Sequence, residues 1–68
     1  MLNFLEMGGR IRKIRRNLNM TQDQVAELAG ISHAFYGHIE RGTRRPSLET
    51  LYNICLALGA DLGKIVLG

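Results

Sequence analysis

Tryptophan is absent from this 68-residue sequence, cysteine and proline occur once each, and two phenylalanines and two tyrosines make up the aromatic complement. The lone thiol, Cys55, cannot close an intramolecular disulfide, which argues against a stapled secreted scaffold and for a reducing cytoplasm. No apolar run approaches the ~20 residues that a membrane span needs. Met1–Met7 carries Glu6 and no basic leader, unlike a signal peptide. Acids number only six, scattered singly, and there is no Ser/His/Asp set, no Cys/His pair and no phosphate-binding glycine loop. The two histidines, His33 and His38, stand about 140° apart on a helix and so do not share one metal-binding face. No catalytic residue, metal, cofactor or small-molecule substrate is therefore expected.

The 7.6 kDa chain reads as one domain over residues 1–68, with residues 1–7 as an apolar tail and no room for a separate ligand-sensing domain. A chain of this length buries only about 60% of its unfolded surface, so its core is marginal. Hydrophobic residues at 46% and charged residues at 22% suit a folded globular domain rather than a disordered one.

Charge is present but unevenly placed. Nine cations against six acids give a net charge of +3. Arg10, Arg12, Lys13, Arg15 and Arg16 form one cluster and Arg41, Arg44 and Arg45 a second, leaving only Lys64 outside. Such clusters suit a polyanion, through phosphate neutralisation and counterion release. A solvated helix face plus a basic loop would look the same from charge alone.

Helical periodicity runs through the whole chain, and nothing alternates as a strand does. Ile11, Ile14 and Leu18 make the stripe of a helix over Gly9–Asn17, ended by Asn19. Thr21 with Gln24 three residues on resembles a capping box. It opens a second helix to Ala29, with Val25, Leu28 and Ala29 at helical spacing and Gly30 as its stop. Ser32 caps a third helix through Arg41, with Phe35, Tyr36 and Ile39 on its buried side and Gly42 after it. Ser47 caps a mostly buried fourth helix of Leu48, Leu51, Tyr52, Ile54, Cys55 and Leu58, ended by Gly59. Asp61 caps a last helix, Leu62–Leu67. The fold class is all-α, a bundle of five short helices.

The second and third helices, joined by Gly30-Ile31 and flanked by both basic clusters, describe a helix-turn-helix. In that arrangement the third helix enters the major groove and the second points its N-terminal amides at a phosphate. The run from Met20 to Ser32, then Glu40-Arg41-Gly42, Arg45-Pro46-Ser47-Leu48-Glu49-Thr50-Leu51 and Leu58-Gly59 resemble the phage-repressor/Cro-like (XRE-type) helix-turn-helix family over roughly residues 9–67. The resemblance implies a lambda-repressor-like fold and double-stranded DNA as partner. By position it implies that Thr21 and Gln22 contact a phosphate and that Ser32, His33, Ala34, Gly37 and His38 read bases. It also implies that Arg41, Thr43, Arg44 and Arg45 clamp the backbone, and that Arg15 pairs with Glu40.

Plainer readings stand beside these. His33 and His38 would serve equally as exposed histidines without a contact. Gly37 departs from the polar residue usual in the family, so either the backbone approaches DNA closely there or the position reads nothing. Phe35 and Tyr36 invite base stacking, yet Tyr36 lies three residues before Ile39 and is expected in the core, as is Cys55. Arg15 and Glu40 could be separate surface charges. The apolar N-terminal tail either folds back on the fourth helix or joins Leu62, Ile65, Val66 and Leu67 in a homodimer interface. The expected function is a cytoplasmic transcriptional regulator, most simply a repressor on a palindromic operator. The alternative is an antitoxin-like protein-interaction module using the apolar termini.

Overall fold

The computed structural model describes residues 2–68. Its helices are α1 (Phe4–Asn17), α2 (Gln22–Ala29), α3 (His33–Arg41), α4 (Leu48–Leu58) and α5 (Leu62–Leu67), with no strand among the described residues. Each begins on a side chain that accepts an otherwise unpaired amide of its first turn. Asn3 takes Glu6 N at 3.0 Å, Thr21 takes Gln24 N at 3.1 Å, and Ser32 takes Phe35 N at 3.0 Å. Ser47 takes Thr50 N at 3.1 Å and Asp61 takes Gly63 N at 3.3 Å. Gln24 Oε1 accepts from Thr21 N at 2.8 Å in return, which completes the capping box. Asn19 turns left-handed at φ 57°, and Gly30, Gly42 and Gly59 end α2, α3 and α4 in the same region.

The first helix is longer than its expected Gly9 start, because residues 4–7 are its first turn and not a tail. Met1, the first residue of that expected tail, lies outside the described residues. Two glycines explain the extension. A Cβ on Gly8 would meet the carbonyl oxygen of Ile39 and lie 2.5 Å from that of Glu40, so α1 crosses the end of α3 backbone to backbone. Gly42, at φ 73°, would put a Cβ 2.6 Å from Leu5 Cα. The start of α1 is therefore seated on the C-terminal end of α3.

α1 packs on α3, α2 on α4 and on α3, and α5 closes against α1 and α4. The core comprises Met7 and Ile11; Val25, Ala26 and Ala29; Tyr36 and Ile39; Leu51, Ile54, Cys55 and Leu58; and Ile65. Several expectations are corrected here. Leu18 is the exposed C-cap of α1, whose inward side is Phe4, Met7, Ile11 and Arg15 with Ile14 half-buried against the core. Leu28, Leu48 and Tyr52 face solvent, so α4 buries one face and is not mostly covered. Ile65 is fully enclosed in the chain's own core and has no surface to offer a partner, whereas Leu62, Val66 and Leu67 keep accessible surface. No helix among the described residues is long and apolar enough to cross a membrane.

Candidate nucleic-acid interface

Glu40, near the end of α3, is the side chain on which the three helices around the turn converge. Arg15 of α1 donates to it twice, Nε to Oε2 at 2.6 Å and Nη2 to Oε1 at 3.1 Å. Gln22 Nε2, at the start of α2, donates to Oε1 at 3.0 Å, and the Tyr36 hydroxyl donates to Oε2 at 2.5 Å. Each carboxylate oxygen thus has two donors. The third nitrogen of the Arg15 guanidinium donates to Met20 O at 2.9 Å.

Burial alone would push the Glu40 carboxyl up, but the donations from Arg15, Tyr36 and Gln22 outweigh it and hold the group below its ordinary value. The hydrogen bond to Glu40 raises Arg15 further, against burial. Burial, then the hydrogen bond to Glu40, pushes the Tyr36 phenol far above its usual range. The Arg15–Glu40 pair is accordingly a buried, two-pronged bridge and not two separate surface charges.

Gln22 orders the next link. Its amide nitrogen must face the carboxylate, so its oxygen faces α3 and accepts from His33 Nε2 at 3.2 Å. His33 Nδ1 lies 3.7 Å from Asp23 Oδ1. Ser32, which caps α3, and Ala34 are exposed beside it. His38 Nδ1 meets Thr43 Oγ1 at 2.9 Å, and the Thr43 hydroxyl donates to His38 O at 3.2 Å, so these two side chains close the end of α3. Gly37 is not bare backbone: it is buried, and the atoms nearest to a Cβ added there belong to the Arg41 guanidinium.

The two basic clusters fare differently. In the first, Arg15 is buried and Arg10 Nη1 donates to Ile65 O at 2.9 Å, tying α1 to α5. Arg12, Lys13 and Arg16 are left facing solvent. In the second, all three arginines are exposed. The Arg44 guanidinium lies 5.8 Å from the centre of the Phe35 ring, and that of Arg45 lies 5.2 Å from the centre of the Phe4 ring. Phe35 and Phe4 thereby hold the cationic loop after α3 close to the body of the protein.

The family resemblance brought Arg15 and Glu40 together, but the third and fourth donors to that carboxylate were missed. Tyr36 and Glu40 are i and i+4 on one helix, a spacing at which side chains meet, and that signal was present. Gln22 carried no comparable signal, because its reach to Glu40 spans two helices.

A family model described as helix-turn-helix matches residues 11–65. The immunity repressor protein of Bacillus phage phi105 is 40% identical over 62 residues, which cover 91% of this chain and 43% of that protein. The chain thus spans less than half the length of that relative. The restriction-modification controller protein C.AhdI from Aeromonas hydrophila superposes with a TM-score of 0.88 at 27% identity, over 91% of this chain and 94% of the controller. The P22 c2 repressor, solved in complex with a synthetic operator, superposes with a TM-score of 0.83 at 28% identity, over 88% of this chain and 91% of the repressor.

Proposed function

The chain belongs to the helix-turn-helix family of DNA-binding transcriptional regulators, and on that footing we propose that it is a cytoplasmic repressor that occupies a palindromic operator in double-stranded DNA as a homodimer. The observation that carries this reading is the two-sidedness of α3. Its inward side is fastened to α1 and α2 through Glu40, while Ser32, His33 and Ala34 stand exposed at its start. Those residues, with His38, are positioned to read base edges in the major groove. Thr21 and Gln22 at the start of α2 and Thr43, Arg44 and Arg45 after α3 flank them as phosphate contacts. Arg12, Lys13 and Arg16 add to the positive field that draws DNA in.

The apolar surface around α5 supports pairing of two copies. Leu2, Phe4, Leu48, Leu62, Val66 and Leu67 line one cleft, and Leu67 is 83% exposed. A two-fold pair reading a palindrome needs its two α3 helices about 34 Å apart, one turn of DNA.

Selection tests the proposal. The protein is incubated with a randomised duplex pool about 30 base pairs long, enough for two half-sites one turn apart, and retained DNA is sequenced at rising salt. An enriched inverted repeat supports the reading. Retention without enrichment overturns sequence reading and leaves a backbone or shape reader. No retention even at low salt overturns DNA binding and favours a protein-interaction module using the apolar cleft. Sedimentation as a strict monomer, with and without DNA, overturns the homodimer.

A further inference from the structure

We propose that Arg41 is a base-reading residue, and that Gly37 is glycine because it makes the berth from which the Arg41 guanidinium reads; this rests on the DNA-binding reading above. Position by family resemblance puts Arg41 among the backbone clamps, but the geometry of α3 points elsewhere. At about 100° per residue, with His33 as zero, Gly37 lies near 40°, Arg41 near 80°, Ala34 near 100° and His38 near 140°. Tyr36 and Ile39, which face the core, lie near 300° and 240° on the same scale. Arg41 is thus in the middle of the outward face, among the residues expected to read bases and away from its edges.

The side chain also points the right way along the axis. Helical side chains lean toward the N-terminus and cover the turn before their own Cα. The Arg41 guanidinium accordingly lies over Gly37, one turn back toward the end of α3 that enters the groove. A Cβ at Gly37 would stand 3.1 Å from Arg41 Nη1, 3.7 Å from Nη2 and 3.8 Å from Cζ. Any side chain at 37 beyond that first carbon would claim the space that the guanidinium fills. The mid-helix glycine, unfavourable by helix propensity, leaves that space to the guanidinium.

Arg41 differs from its basic neighbours in this respect. Arg44 and Arg45 rest on the Phe35 and Phe4 rings. Arg41 makes no ion pair among the described residues and is exposed. A planar fork of this kind pairs with O6 and N7 of guanine in two parallel hydrogen bonds. The inference is therefore a guanine preference at one base pair of each half-site, delivered by Arg41 through the space at Gly37.

The test compares the motifs that wild type, Arg41→Ala and Gly37→Gln enrich from the randomised duplex pool, with thermal melting by circular dichroism to follow the fold. The expected wild-type motif contains one guanine per half-site whose preference, roughly 5- to 150-fold, collapses in Arg41→Ala while the other positions persist. Gly37→Gln, which retains the arginine but fills its berth, is expected to lose or change the preference at that same position. Arg41→Ala weakening all sequences alike, with the salt slope reduced by about one and the motif intact, would overturn base reading by Arg41 and leave DNA binding standing. An unchanged Gly37→Gln motif would overturn the role of the berth, and it decides that point if Arg41→Ala does not melt cooperatively. A wild-type protein that retains no duplex overturns both readings together.

Discussion

The Tyr36 hydroxyl and the Glu40 carboxylate lie one turn apart on α3 and meet at 2.5 Å, on the same oxygen that Arg15 Nε reaches from α1 at 2.6 Å. A tyrosine in the core thus serves two purposes. Its ring fills the core, and its polar tip supplies one of the four donors that keep a buried carboxylate ionised.

Tyr36→Phe and Glu40→Ala are expected to destabilise by different amounts. The phenylalanine keeps the ring and loses one hydrogen bond to a charged group, about 1.5–3 kcal/mol. The alanine leaves Arg15 buried without its partner, about 3–5 kcal/mol. A domain of this length has roughly 3–10 kcal/mol in all, so Glu40→Ala should be close to unfolding at room temperature. Urea melts of both variants check the order; a Glu40→Ala loss under ~1 kcal/mol would contradict a buried bridge.

Stability should fall in acid, with Glu40 responsible for part of the fall. Its carboxyl titrates lower in the folded chain than in the unfolded one. Its contribution is therefore fully present above the ordinary glutamate value, about 4.3, and is lost as pH falls through the folded value. At the other end Tyr36 is raised by burial, so its contribution is present below the ordinary tyrosine value of about 10 and is lost as pH rises beyond it. Denaturant midpoints across pH check both limbs: Glu40→Gln should flatten the acid one and Tyr36→Phe the alkaline one.

Gly8 and Gly9 are neighbours on α1 that should respond to alanine with opposite signs. At Gly9 a Cβ meets nothing within 4 Å, so alanine should stabilise by up to ~1 kcal/mol through helix propensity. At Gly8 the Cβ runs into the backbone carbonyls of Ile39 and Glu40, which cannot turn aside. The overpacking of about 1–3 kcal/mol outweighs the same propensity gain. Paired thermal melts check the prediction.

His33→Ala and alanine at Arg44 or Arg45 should separate reading from clamping. Loss of His33 should weaken a selected site by about 1–3 kcal/mol more than random duplex. Loss of Arg44 or Arg45 should weaken both alike and lower the salt slope by about one. Titrations of each variant at several salt concentrations check this, and an equal loss for His33 on every sequence would make it a backbone contact.

What could be read in advance follows from how local each rule is. The caps at Thr21, Ser32, Ser47 and Asp61 and the left-handed stops at Asn19, Gly30, Gly42 and Gly59 rest on residues a few positions apart, and all are found. The start of α1 is not, because Gly8-Gly9 looks like an interruption until α3 is seen lying against Gly8. The local signal there, Asn3 as a cap for the amide of Glu6, was present and went unused. Leu28, Leu48 and Tyr52 show the limit of periodicity in a small chain: more apolar side chains fit the helical spacing than the core can enclose. For the site, the Arg15–Glu40 pair came from the resemblance. The Arg41–Gly37 contact and the bridging position of Gln22 depend on side-chain direction and on packing between helices.

The convergence of α1, α2 and α3 on one carboxylate has a calorimetric consequence. With the angle between α2 and α3 set in the free protein, docking on a duplex has little backbone left to order, and little of the gross interaction energy is spent on ordering it. The heat capacity change of association should then scale with the surface dried at the contact, without the larger increment that accompanies folding on binding.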